Sequence, residues 1–257
     1  MGQIHSVFIK TIKELYRNKV TVFWTVVWPI IFLFLGVFLF YSADPQSKTP
    51  PFRAGISISM IVFSLMLSGF STIPGIIAQD RSSGLFLKLR SMPLKPWKDL
   101  IGRIFGLLTY TAVSALLIAI IGVSIGARFN LATRGMLISI GFFILAILSA
   151  SGAGIIIGTF IKNINAAVIT GVGISVVSMS LAGVTFPYAF LPEALQTFSR
   201  FYPFSSSSAI ISYLLSSKEF VGYNPINDTQ IICTIITSLL IFIVSIILYS
   251  KFCWRED

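Results

Sequence analysis

Acidic residues are scarce in this chain: nine Asp and Glu stand against nineteen Lys and Arg in 257 residues, and none of the nine falls inside a long apolar run. A proton- or sodium-driven pump keeps ionisable groups at membrane depth, so an autonomous pump is not expected. Histidine is scarcer still, with His5 alone in the N-terminal tail. No HExxH pair and no Ser/His/Asp set can therefore be assembled, which removes two common hydrolase chemistries. No GxxxxGK[ST] loop occurs, so this chain is not expected to hydrolyse ATP itself. The two cysteines, Cys233 and Cys253, would lie roughly 30 Å apart on one helix, too far to pair. Neither has metal-ligand company, and no metal site or catalytic residue is expected.

What the chain has in abundance is apolar side chain: 55% of residues are hydrophobic and only 11% charged. A water-soluble domain of this size cannot have that composition, so the expected class is an all-α polytopic membrane protein. Six runs are long enough to cross a hydrocarbon core as helices: Val20–Phe40, Gly55–Ile77, Leu100–Ile125, Gly135–Phe160, Ala166–Phe186 and Thr229–Ser250. An even number of spans puts both termini on one side. The tails, the loop between the second and third spans and the loop between the fourth and fifth together carry thirteen Lys and Arg, and the opposite side six. By the positive-inside rule the tails and that basic loop are expected in the cytoplasm. The net charge of +10 arises at span ends and not on one soluble face, so nucleic acid is not an expected partner. The first run is too long for a signal-peptide core and is expected to stay as an anchor.

Residues 1–19 read as an amphipathic helix, with Val7, Ile9, Ile12, Leu15 and Tyr16 set against Lys10, Lys13, Glu14 and Arg17. Such a helix can lie in the headgroup layer, or it can extend the first span unless Asn18 breaks it. Residues 187–228 are long and half apolar, with Pro187, Pro192 and Pro203. Two short helices broken by proline fit that pattern, too short to span and dipping into the outer leaflet as re-entrant elements. No internal repeat or domain boundary is visible, so residues 1–257 are expected to form a single transmembrane domain.

Small polar residues line two helical faces. The second span carries Ser57, Ser64, Ser68, Ser71 and Gly75, and the fifth Gly171, Ser175, Ser178 and Ala182. Stripes of this kind let helices approach closely, or they line a weakly polar path for an amphipathic substrate. Gly154 and Gly158 form a Gly-x-x-x-Gly packing pair on the fourth span.

Residues 79–98 stand apart. Leu85, Leu89 and Met92 fall on helical spacing, with Lys88, Arg90, Lys95 and Lys98 beside them and Pro93 and Pro96 near the exit. A basic helix adsorbed on anionic lipid would show such cations, but it has no use for Asp80 or for the ordered Gly84 and Pro93. The order Asp80, Arg81, Gly84, a leucine-rich stretch through Leu89, then Pro93, resembles the signature of type-2 ABC transporter permeases. The basic N-terminal helix, the short loop at 161–165, and Pro187, Pro192 and Tyr202-Pro203-Phe204 extend the resemblance over nearly the whole chain. Ser82, Leu85 and Leu87 depart from it, standing where the family commonly has an acid, Thr and Glu.

The resemblance implies a six-span exporter subunit working as a dimer, with a second copy or a paralogous permease, and with separate ABC ATPase subunits that bind ATP and Mg. It implies that residues 79–98 form a cytoplasmic coupling helix. Leu85, Leu89 and Met92 would fill an apolar groove of the ATPase, with Asp80, Arg81, Lys88 and Arg90 at its rim. The substrate would pass by Ser64, Ser68, Ser71, Ser175 and Ser178 and leave past Phe190 and Phe204. A drug, peptide, lipid or glycan would suit that path equally. The absence of a fused ATPase and of disulfide pairs favours a bacterial or archaeal cell membrane. A non-transporting membrane scaffold that uses the basic loop only for docking is the alternative.

Overall fold

The computed structural model describes residues 2–40, 49–85, 96–181, 188 and 191–253, and the described residues contain helices and no strand. The first helix, α1, runs Gln3–Arg17 and stops where Asn18 turns extended (φ −84°, ψ 95°). The Asn18 side chain then accepts from the Thr21 amide and caps the next helix. The break at Asn18 rules out a continuous extension of the first span. Instead α1 docks on the helix that starts near Pro96. Gly102 and Gly106 form a shallow groove there, in which a Cβ would meet Val7 at 2.7 Å and Thr11 at 2.8 Å. Thr11 and Leu15 are buried as a result, so this face of α1 rests on protein and not on lipid.

Among the described residues five helices are long and apolar enough to cross a membrane: α2 (Lys19–Leu39), α3 (Pro50–Ser82), α4 (Pro96–Ser124), α5 (Thr133–Phe160) and, last of them, α10 (Asp228–Phe252). A sixth apolar helix, α6 (Ile164–Leu181), is shorter and begins with Asn163 accepting from the Ala166 amide. Its 18 residues rise about 27 Å, just under the usual core thickness. The remainder of the expected fifth span lies outside the described residues.

Helix α3 is the centre of the bundle. Of its most apolar window 94% is buried, against 17% for α10, so α10 must face lipid or another chain while α3 faces its own neighbours. Lipid is as apolar as leucine, and apolar helices therefore gain little from meeting each other except through close packing. The chain supplies close packing with glycine. A π turn at Ser68–Thr72 widens α3 just before Pro74. Pro74 has no N–H to give to Gly69 or Phe70. Gly154 of α5 and Gly171 of α6 stand against those two carbonyls, so close that any Cβ would collide with them. Only a residue without a Cβ can come this close to the carbonyls that Pro74 leaves without its donor. Gly158 sits against the Pro74 backbone in the same way.

Before α10 come α7 (Glu193–Phe201), α8 (Pro203–Leu215) and the single turn α9 (Lys218–Val221). Tyr202 is the extended residue between α7 and α8, and Pro203 takes the first position of α8, where its missing N–H costs nothing. Helix α8 packs on α5, α3 and α10 with Phe204 and Ser205–Ser208 buried.

Candidate functional site

At the end of the bundle that holds α1, six charged residues meet. Asp80, near the end of α3, accepts from Lys10 of α1 (2.9 and 3.1 Å) and from Arg103 Nη2 of α4 (2.6 Å). Arg103 Nε donates at 2.8 Å to Asp99, one turn earlier on α4, and the Tyr249 hydroxyl of α10 donates to the same carboxylate at 2.7 Å. Lys10 also lies 3.5 Å from Glu14. Beside them Arg81 donates to the Thr159 carbonyl of α5 (3.1 Å) and to Cys253 Sγ (3.0 Å).

Asp80, Asp99, Arg103 and Tyr249 are buried, where an isolated charge would cost several kcal/mol. The cluster is tolerable because it is balanced. Lys10, Arg81 and Arg103 match Glu14, Asp80 and Asp99 in number, and each aspartate accepts from two elements or two turns. Burial pushes the Glu14 carboxyl above the usual glutamate range, although Lys10 pulls the other way.

The cluster clasps the base of the basic loop. Asp80 precedes the loop and Asp99 follows it, and one guanidinium holds both. The helix before the loop ends at Ser82, and Gly84 just past its cap takes φ +68°, the left-handed value that stops a helix. Beyond it Leu85 is half-buried, while Lys88, Leu89, Arg90, Met92 and Pro93 lie outside the described residues.

One expectation changes here. Asp80 is 4% exposed, so it does not present a rim to a partner; its lone pairs are taken by Lys10 and Arg103. Arg103, at the start of the third expected span, is 2% exposed and doubly paired. Lys10, Asp99 and Tyr249 were not singled out by sequence reasoning. The four-residue spacing of Asp99 and Arg103 was an available signal. No local pattern joins Lys10 to Asp80 or Tyr249 to Asp99, separated by 70 and 150 residues.

The serine stripes divide. Ser64 donates to the Thr25 carbonyl at 2.5 Å, Ser68 to Ser64 and Ser175 to Gly171 (2.8 Å each), and Ser178 pairs with the Tyr202 hydroxyl at 2.8 Å. Ser64, Ser68 and Ser175 are buried; the Ser64 bond joins α3 to α2, while those of Ser68 and Ser175 return to their own helices. Phe204 is also buried, 5.1 Å ring to ring from Phe70. Phe190 lies outside the described residues. Ser71 differs, because it borders a half-open cavity of about 690 Å³ between α1, α2, α3 and α6.

Comparison with known proteins gives two findings. A profile described as "ABC-2 type transporter" matches residues 2–216. YvfS of Bacillus subtilis (strain 168), whose name proposes a transport permease, is 25% identical over 207 residues, covering 79% of this chain and 81% of the relative.

Proposed function

Because this chain belongs to the ABC-2 type transporter family, we propose that it is the membrane subunit through which separate ATP-hydrolysing subunits drive export of an amphipathic substrate. The observation that carries the reading is the clasp. A loop whose two ends are locked by Arg103 to α3 and α4, and through Lys10 and Tyr249 to α1 and α10, is built to pass a push from outside the membrane into several helices at once. A passive connector gains nothing from such a buried network, which costs desolvation.

In this reading Leu85, Leu89 and Met92 enter an apolar groove of the ATPase, and Lys88 and Arg90 set the register. Asp80 and Arg81 position the loop and do not touch the partner. The ATP and Mg belong to the ATPase; the permease moves cargo and carries out no bond chemistry. A pair of permease chains, alike or paralogous, would enclose the path. With α6 crossing as a sixth span, both termini and the loop would face the cytoplasm of a bacterial or archaeal cell.

The test is co-purification from gently solubilised cells of the native chain and of a Leu85→Asp, Leu89→Asp variant, with ATP hydrolysis measured on what is recovered. An ATPase that accompanies the native chain and is lost from the variant, with the variant still eluting as a folded species, is the expected result. The same yield of ATPase with both chains would remove the coupling role of the loop. Recovery of none with either would favour a scaffold.

A further inference from the structure

The cavity between α1, α2, α3 and α6 lies beside the clasp and shares Glu14 with it. Its volume of about 690 Å³ falls in the range of small-molecule sites, which combine apolar walls with a few convergent polar groups. Val20, Trp24, Ile76 and Val168 supply the apolar wall. Two polar atoms on its lining residues are buried with no partner: Oε2 of Glu14 and Oγ1 of Thr72. Thr72 as a residue is only 6% exposed. It ends the π turn of α3, and π turns are frequent at functional sites.

A buried carboxylate oxygen with no donor costs more than a kcal/mol, and it wants an N–H or O–H that the chain itself does not bring. Lys10 serves the other oxygen, Oε1. The Trp24 ring, on the same wall, offers the kind of face that attracts a cation. The mouth is amphipathic: Val20 is 61% exposed and Ile169 69% exposed, with the polar Arg17 and Asn165 exposed beside them. An alkyl chain can thus lie along the apolar rim while its head reaches inward.

We infer that this cavity binds an amphiphile whose head carries an ammonium group, with Glu14 and Thr72 receiving the head and Trp24 covering it. A bound ammonium would offset the burial that raises the Glu14 carboxyl. The head chemistry is shared by simple alkylamines and by the ethanolamine headgroup of a phospholipid. The inference rests on the export reading for its class of ligand, since Ser71 of the expected substrate path lines the cavity, but its test needs neither an ATPase nor transport.

The experiment is photolabelling of the full chain in phosphatidylcholine nanodiscs with a dodecylamine that carries a diazirine in its chain, followed by peptide mapping. Adducts should concentrate on segments 14–24, 71–79 and 164–169 and be removed by unlabelled dodecylamine. Removal by lysophosphatidylethanolamine as well would identify a lipid head as an acceptable source; removal by the alkylamine alone would identify a free amine. Glu14→Gln should raise the half-competing concentration about tenfold, the effect of one charge-assisted hydrogen bond. Asn165→Trp, at the exposed rim and away from the packed core, should reduce labelling whether or not the Glu14 variant folds. Equal competition by dodecanol, or adducts spread evenly along the lipid-facing sides of α2 and α10, would overturn the inference.

Discussion

The guanidinium of Arg103 joins Asp80 to Asp99 because its planar fork presents N–H groups in two directions at once; a lysine ammonium is a compact charge on a flexible stem and cannot span both carboxylates with the same geometry. Replacing Arg103 by Met would leave two buried carboxylates near one another with only Lys10 and Tyr249 to serve them. The expected cost is about 3–5 kcal/mol, visible as a lower midpoint of thermal unfolding in detergent. Adding Asp80→Asn and Asp99→Asn to the Met variant should restore much of that loss by removing the charges that Arg103 neutralised. No restoration would mean that the cluster acts by packing and not by charge. The triple variant also separates stability from coupling, since it should fold and yet fail to raise the partner's ATP hydrolysis.

Among the elements α3 carries the largest burden, and its π turn and proline are tolerated only because two neighbouring helices bring glycine to the exposed carbonyls. Gly171→Ala would drive a methyl group into the Phe70 carbonyl, which the backbone must move to relieve. Overpacking of this kind costs about 1–3 kcal/mol. Gly173 is the internal control: it lies on the same helix, is exposed, and a Cβ there meets nothing within 4 Å. Gly173→Ala should be neutral or stabilising by up to ~1 kcal/mol, since alanine is the better helix former. Unfolding of the two variants by denaturant, followed by helical signal, would show opposite signs if close packing governs this interface, and the same sign if it does not.

For the whole molecule the central prediction is topological. With Cys233 and Cys253 replaced by Ser, single cysteines placed at His5 and Phe252 should react with a membrane-impermeant maleimide only from the cytoplasmic side, and one at Arg134, in the first turn of α5, only from the other. Labelling of positions 5 and 252 from opposite sides would mean that α6 does not cross. The prediction rests on the distribution of Lys and Arg, a property of the translocation step that packing does not alter.

The amino-acid sequence by itself determined the apolar surroundings of the chain and where its long apolar runs lie, and it offered Asn18 as a place for a break without deciding between a break and a continuous helix. Each of these follows from local chemistry: runs of about 20 apolar residues, an asparagine side chain that caps a helix start, prolines that cannot continue one. It also marked Gly154, Gly158 and Gly171 as small residues with a packing use, though not which carbonyls they would meet. Only the tertiary structure decided that Asp80 turns inward, that the serines of α3 bond within the bundle, and that Glu14 and Thr72 share one cavity. The physical reason is separation. A carboxylate at position 80 reads as surface charge until Lys10 and Arg103 are known to lie against it, and a serine stripe reads alike as path or packing until its neighbours are placed. A cavity has no signature along the chain at all, because it is what four helices leave between them.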